Sequence, residues 1–361
     1  MIENKFSLPF YFKLAQITIA IIGLTYVTFI GQEIIIPLLF SLIVAILLNP
    51  IVNFLIRKGF NRIVAISITV VLATILILSL LFFIGSQLSM FSEAIPQLKQ
   101  KFNAMFNDLI TWISQNFNIS TAKIKEWIDM QKEEGMNNST AVIGQTLTTV
   151  SGLLILVFLI PIYIFLILFY KPLLLDFIHK IFPANKNGTV KEVLTETKTL
   201  IQNYLIGLLI EAGIVATLNT TALLIIGVDY ALLIGIIGAL LNLIPYIGGI
   251  VAIAIPMILA LATQEPTDAL YVLIAYAIVQ LVDNNFIVPK IVASKVKINA
   301  LASIVVVLIG GALWGVAGMF LSLPLTAIFK VIFDRIEPLK PLGFLIGDNI
   351  PEVKIFGKSK K

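Results

Sequence analysis

The chain contains no cysteine and a single histidine, His179. Disulfides, thiolate metal sites and cysteine nucleophiles are thereby excluded, and one imidazole cannot build a multi-histidine metal centre. Charge is scarce too. Asp, Glu, Lys and Arg make up 12% of the residues, about half the share of an ordinary soluble domain. There is no Gly-x-x-x-x-Gly-Lys-Ser/Thr loop, no His-Glu-x-x-His pair and no Gly-x-Ser-x-Gly elbow. P-loop ATP hydrolysis, zinc-protease chemistry and the hydrolase nucleophile therefore find no support. The sequence reads as a non-enzyme, with no catalytic residue, no metal site and no cofactor.

What is present is apolar. Hydrophobic residues fill 59% of the 361 positions, and the mean hydropathy is +1.02. Several charge-free runs exceed about 18 residues, enough to cross a hydrocarbon core about 30 Å thick. This predicts an all-α, polytopic membrane protein with about eight hydrophobic segments, whose first partner is the lipid bilayer. The net charge of +5 is then a topology signal, and no nucleic-acid partner is expected. The first run lacks a short apolar core followed by a small-residue cleavage site, so it reads as an uncleaved helix.

The charge distribution orients the chain. Residues 1–87 hold three spans, and the second loop, Arg57-Lys58-Gly59-Phe60-Asn61-Arg62, carries three cations and no acid. Basic loops stay in the cytoplasm, so the N-terminus is expected inside. Residues 88–148 form a hydrophilic stretch, five lysines against six acids, with apolar positions recurring at three and four. This predicts amphipathic helices on the outer face. A fourth span over 149–171 returns to a lysine-rich cytoplasmic segment, 172–200. Residues 201–335 read as a permeation unit, and 336–361 as a basic tail that places the C-terminus inside as well. Within the unit, 231–262 and 299–333 are too long for one crossing and too short for two. Pro245, Gly248 and Gly249 break the first, and Gly310, Gly311, Gly315 and Pro324 the second. Both read as re-entrant hairpins, whose broken backbone must be covered by protein or a wet cavity.

Polar residues inside these segments are the candidate site. Glu211 stands mid-span, where a carboxyl is expensive and faces a cavity or the bundle interior. On a helix over 268–288, Gln280, Asp283 and Asn284 share a face. Asn285 points away from it, but its carbonyl loses its helical donor to Pro289. By the same rule Pro245 frees the carbonyl of Leu241, beside Asn242. The pathway set is therefore Glu211, Asn242, Pro245, Gly248, Gly249, Gln280, Asp283, Asn284, Asn285, Pro289, Gly310 and Gly311. Each has a structural alternative. Asp283 can cap a helix or pair with Lys290 or Lys295, Asn242 can bridge two helices, and the glycines can serve close packing.

Three blocks carry a resemblance: Asn242-Leu243-Ile244-Pro245-Tyr246-Ile247-Gly248-Gly249, then Gln280 to Pro289, then Gly310-Gly311-Ala312-Leu313-Trp314-Gly315-Val316-Ala317-Gly318-Met319 with Leu323-Pro324. In order and spacing they resemble the autoinducer-2 exporter (AI-2E) family, the PerM-like permeases. The resemblance implies a multi-pass permease of the bacterial inner membrane without an ATPase. It also implies export of a small polar or signalling solute such as autoinducer-2, or alternatively exchange of sodium or lithium for protons. Apolar faces in excess of one bundle's needs suggest a homo-oligomer. A reading of another class is an envelope scaffold, anchored by the spans and docking a partner through 88–148.

Overall fold

The computed structural model describes residues 9–117, 120–122, 139–244, 247–263, 266–293 and 297–348. Pro245, residues 123–138 of the hydrophilic stretch, Lys295 and the tail beyond 348 lie outside them. The described residues form ten α-helices, a π-helical stretch and two short 3-10 turns, without a strand. Seven helices are long and apolar enough to cross a membrane, and two more are apolar but shorter.

The chain begins with α1 (Phe10–Ile30), α2 (Gln32–Arg57) and α3 (Arg62–Phe117). The hydropathy drop after residue 87 leads one to expect a helix end there, yet α3 runs on through 56 residues, past an internal Pro96. Gln, Glu, Lys, Leu and Met dominate 87–105, and these are good helix formers whatever their hydropathy. Likewise α4 (Ser139–Ile181) starts before and ends after the apolar run it contains. A 3-10 turn at Ala184–Lys186 leads to α5 (Asn187–Ile226). The latter ends at Gly227, in the left-handed conformation (φ 86°) that spares glycine a Cβ clash.

Helices α2, α3 and α4 form one lobe, with Ala45, Leu48, Val52, Ala65, Ile66, Val70, Ile164 and Leu168 at its centre. Prolines interrupt its helices, and other helices repair the damage. Pro172 cannot donate to the carbonyl of Leu168. Arg62 Nη2 donates to that oxygen at 2.9 Å and to the Phe169 oxygen at 2.7 Å. Pro50 likewise frees the carbonyl of Ile46, which accepts from Gln202 Nε2 at 2.7 Å.

The second lobe contains both broken segments. Helix α6 (Ala231–Asn242) and helix α7 (Ile247–Thr263) fold back on each other. A Cβ built on Gly238 would lie 3.7 Å from the Cβ of Ala252, and one on Gly248 only 1.7 Å from the Leu241 oxygen. That oxygen is not free: it accepts from the N–H of Ile244 at 2.9 Å within the turn. Helix α8 (Pro266–Val282) continues as a π-helical stretch, Asp283–Ala293.

Helix α9 (Ala300–Arg335) is the second hairpin. Its chain reverses at Trp314 (φ −135°, ψ 20°) and Gly315 (φ 59°, ψ −141°). Residues eight apart on a straight helix are about 12 Å from one another. Here a Cβ on Gly310 would fall 2.4 Å from the Gly318 oxygen, and one on Gly318 2.0 Å from the Gly310 oxygen. The arm from Ala300 to Trp314 is about 22 Å long, short of a full crossing. At the tip, Trp314 Nε1 donates to the Thr28 oxygen of α1 at 3.0 Å. Leu321 and Ala327 pack on Ile43 of α2 and on Ile201, Tyr204 and Leu208 of α5, which joins the lobes. A short α10 (Lys340–Ile346) closes the described chain.

Candidate functional site

The polar residues of three separate segments meet at one point. Asn242, at the end of α6, is the hub. Its Nδ2 donates to Asp283 Oδ2 at 2.8 Å and lies 3.5 Å from Glu211 Oε1. Its Oδ1 accepts from Gln280 Nε2 at 3.4 Å. Glu211 and Asp283 are 4% and 1% exposed, so two carboxyl groups share one amide in the interior. Gly249 supplies the fourth side: a Cβ there would come 3.1 Å from Gln280 Nε2, so any side chain would crowd that amide.

Local structure explains the convergence. Glu211 follows Tyr204 and Gly207 along one stripe of α5, and Tyr204 and Leu208 line the same wall. Asn242 occupies the last turn of α6, where helical bonding ends and the chain reverses. Asp283 opens the π-helical stretch, a departure from α-geometry often found at functional positions.

The cluster lies on a cavity of about 770 Å³. Its walls come from α5, both arms of the first hairpin, α8 with its π-helical continuation, and both arms of α9. Most lining residues are apolar. The polar ones are Tyr204, Glu211, Asn242, Gln280, Asp283, Asn284, Ser303 and Asp348, and no lysine, arginine or histidine is among them. Such a wall suits neutral hydroxyl or amide groups, or a monovalent cation, and repels anions. Among the described residues no group of three or more metal-ligating side chains stands close enough to hold a metal ion.

The sequence-derived set divides. Glu211, Asn242, Gly249, Gln280, Asp283 and Asn284 come together on the cavity. Gly248 is buried in the hairpin turn beneath Leu241. Gly310 and Gly311 stand in the second hairpin against Gly318, Ser322 and Met319, which is close packing and not a cavity wall. Asn285 is exposed and donates to the Leu281 oxygen at 2.8 Å. Pro289 is exposed as well. In i→i+5 geometry the carbonyl it leaves without a donor belongs to Asn284, not Asn285, because the π-register shifts the partner by one residue.

Sequence reasoning missed Ser303 and Asp348. Asp348 reaches the wall because the chain after α10 pairs with residues before α9. Asn299 N donates to the Ile346 oxygen at 3.1 Å, and Asp348 N to the Lys297 oxygen at 3.2 Å. The Asn299 side chain donates to the oxygens of Leu345 and Gly347 at 2.7 and 3.0 Å, and caps α9 by accepting from Ala302 N at 2.9 Å. The capping asparagine could have been found in the sequence. Its two long-range partners carry no local signal.

Residues 17–337 match the family described as AI-2E family transporter. The chain is 26% identical to YhhT of Escherichia coli (strain K12) over 98% of each protein, a relative whose name assigns it to transport without a solute. It is 25% identical to the AI-2 transport protein TqsA of the same organism, over 95% of this chain and 96% of that one. PerM of Escherichia coli (strain K12), named as a permease, is 27% identical over 53% of this chain and 55% of its own.

Proposed function

The chain belongs to the AI-2E transporter family, and from that premise we propose that it is a secondary transporter whose central site is the Glu211–Asn242–Asp283 cluster. It resides in the bacterial inner membrane with both termini in the cytoplasm, and it exports a small polar solute in exchange for protons. The observation that carries this reading is the amide of Asn242 shared between two buried carboxyl groups. Two neighbouring carboxylates in a low-dielectric interior repel each other, and a proton on one relieves the repulsion. A solute hydroxyl that displaces the amide competes for the same oxygens. Proton occupancy and solute occupancy are thus coupled through one residue.

The cation-free lining, whose charged groups are all acidic, favours an uncharged, hydroxyl-rich solute. Because one relative is named an AI-2 transport protein, autoinducer-2 is the first solute to test, in the outward direction. The same lining supports a second reading, exchange of sodium or lithium for protons. Proteoliposomes under an imposed proton gradient separate the two. The first reading expects solute movement that collapses in Glu211→Gln while the protein still reconstitutes. The second expects cation movement with no solute present. Solute flux unchanged by Glu211→Gln would remove that carboxyl from the mechanism.

A further inference from the structure

A second hollow, of about 780 Å³, lies at the charged end of the molecule, where Lys191, Glu196, Lys297, Lys330 and Arg335 line it. It is stacked on the central cavity along the same two helices. On α5, Asn203 lines the outer hollow and the next residue, Tyr204, the inner cavity. On α9, Leu323 lines the inner cavity and Ala327, one turn on, the outer hollow. Between the two spaces runs Lys297-Ile298-Asn299. Lys297 lines the outer one and Ile298 the inner one, so the partition here is one chain thick.

That partition is a strap of two short segments, 297–299 and 346–348. Asn299 N donates to the Ile346 oxygen and Asp348 N to the Lys297 oxygen, around an isolated antiparallel bridge between Ile298 and Gly347. A pairing this short has little stability of its own. Asn299 reinforces it through Nδ2, which donates to the Leu345 and Gly347 oxygens. The far side is anchored separately. Helix α10 follows α9 through the 3-10 turn Glu337–Leu339, and Gly343 sits so close to α9 that a Cβ there would fall 2.2 Å from Asp334 Oδ1. Residues 346–348 can therefore part from 297–299 while α10 stays docked. Lys297 itself is held at φ 48°, a left-handed conformation rare outside glycine and recurrent in switch regions.

We propose that this strap is the gate between the transport cavity and the charged hollow, and that it opens at the Ile298–Gly347 bridge to let solute pass. The proposal rests on the transporter reading above. With the strap parted, the two spaces join along α5 and α9 into one route to Asn242. Asn299 is the positioning residue: it caps α9 with its side-chain oxygen and holds the strap shut with its amide nitrogen. Asp348, on the cavity wall, moves with the gate.

A chain without cysteine gives thiol chemistry no background. Because the backbone hydrogen bonds flank Ile298 and Gly347, these two form the closely spaced kind of antiparallel pair, with about 4.5 Å between Cα atoms, which a disulfide can span. In the full-length protein in lipid nanodiscs, Ser303→Cys on the cavity wall should react slowly with a charged maleimide. Adding Asn299→Asp should speed that reaction several-fold, since the carboxylate still caps α9 but cannot donate to the Leu345 and Gly347 oxygens. In proteoliposomes, Ile298→Cys/Gly347→Cys should carry autoinducer-2 or sodium, whichever the unsubstituted protein moves. Oxidation should cut that flux about tenfold, and reductant should restore it. Equal labelling with and without Asn299→Asp overturns the strap as the cavity's closure. Full flux in the crosslinked protein overturns passage through it. Faster labelling in a protein that moves neither autoinducer-2 nor sodium upholds the closure and overturns the transport reading.

Discussion

Prolines break the helices of both lobes, but to different ends. At Pro50 and Pro172 the orphaned carbonyls of Ile46 and Leu168 are taken by Gln202 and Arg62, side chains from other helices. At Pro289 the helix has already changed register, and the carbonyl concerned belongs to Asn284, a residue of the cavity wall. The first arrangement seals a lobe. The second leaves a carbonyl without its helical donor beside the cavity. A broken helix is therefore not in itself a sign of function. What matters is whether the break is repaired from within the protein.

Four substitutions test that contrast. The largest effect is expected from Asn242→Leu, which leaves two buried carboxyl groups without their shared donor. Removing one partner from a buried charged network costs about 3–5 kcal/mol. Proton-driven flux should vanish, and thermal unfolding in detergent should move down. A variant with normal flux would show that the amide is not the coupling element. Next comes Arg62→Ala, which strips two carbonyls of their cap and should lower stability by about 2–3 kcal/mol. Flux per folded molecule should hold, and a specific loss of flux would contradict a merely sealing role. Pro289→Ala restores an N–H and should slow transport several-fold in the vesicle assay, with a stability change of about 1 kcal/mol or less. Asn285→Ala should be the mildest, within about 0.5 kcal/mol in unfolding and unchanged in flux. Its side chain is exposed and bonds only to its own helix.

Both hairpins could be read from run lengths and from Gly and Pro placement, because a bilayer converts residue counts directly into permissible folds. Glu211, Asn242, Gln280 and Asp283 were legible for a related reason: polar side chains within apolar runs are few and expensive. The bounds of α3 and α4 were not legible, since a drop in hydropathy marks where lipid ends and not where helical hydrogen bonding ends. Gly310 and Gly311 share their residue type with Gly249, and only the fold tells packing from pathway. Asp348 entered the site through pairing across the chain's end. Asn219, two turns beyond Glu211, sat unremarked because an amide in a threonine-rich stretch, Asn219-Thr220-Thr221, looks ordinary until its neighbour proves to be Gly238.

One feature of the first lobe bears on how the molecule meets its surroundings. The apolar part of α3 ends near Phe91, where the Phe91 ring lies edge-on to Tyr230 at 5.4 Å, next to the turn between α5 and α6. From there the same helix continues to Phe117, about 40 Å farther at 1.5 Å per residue. Pro96, five residues past that contact, removes one hydrogen bond from the helix and gives it a joint there. Bending at Pro96 moves the arm, where Trp112 and Phe117 are exposed, without disturbing the apolar span.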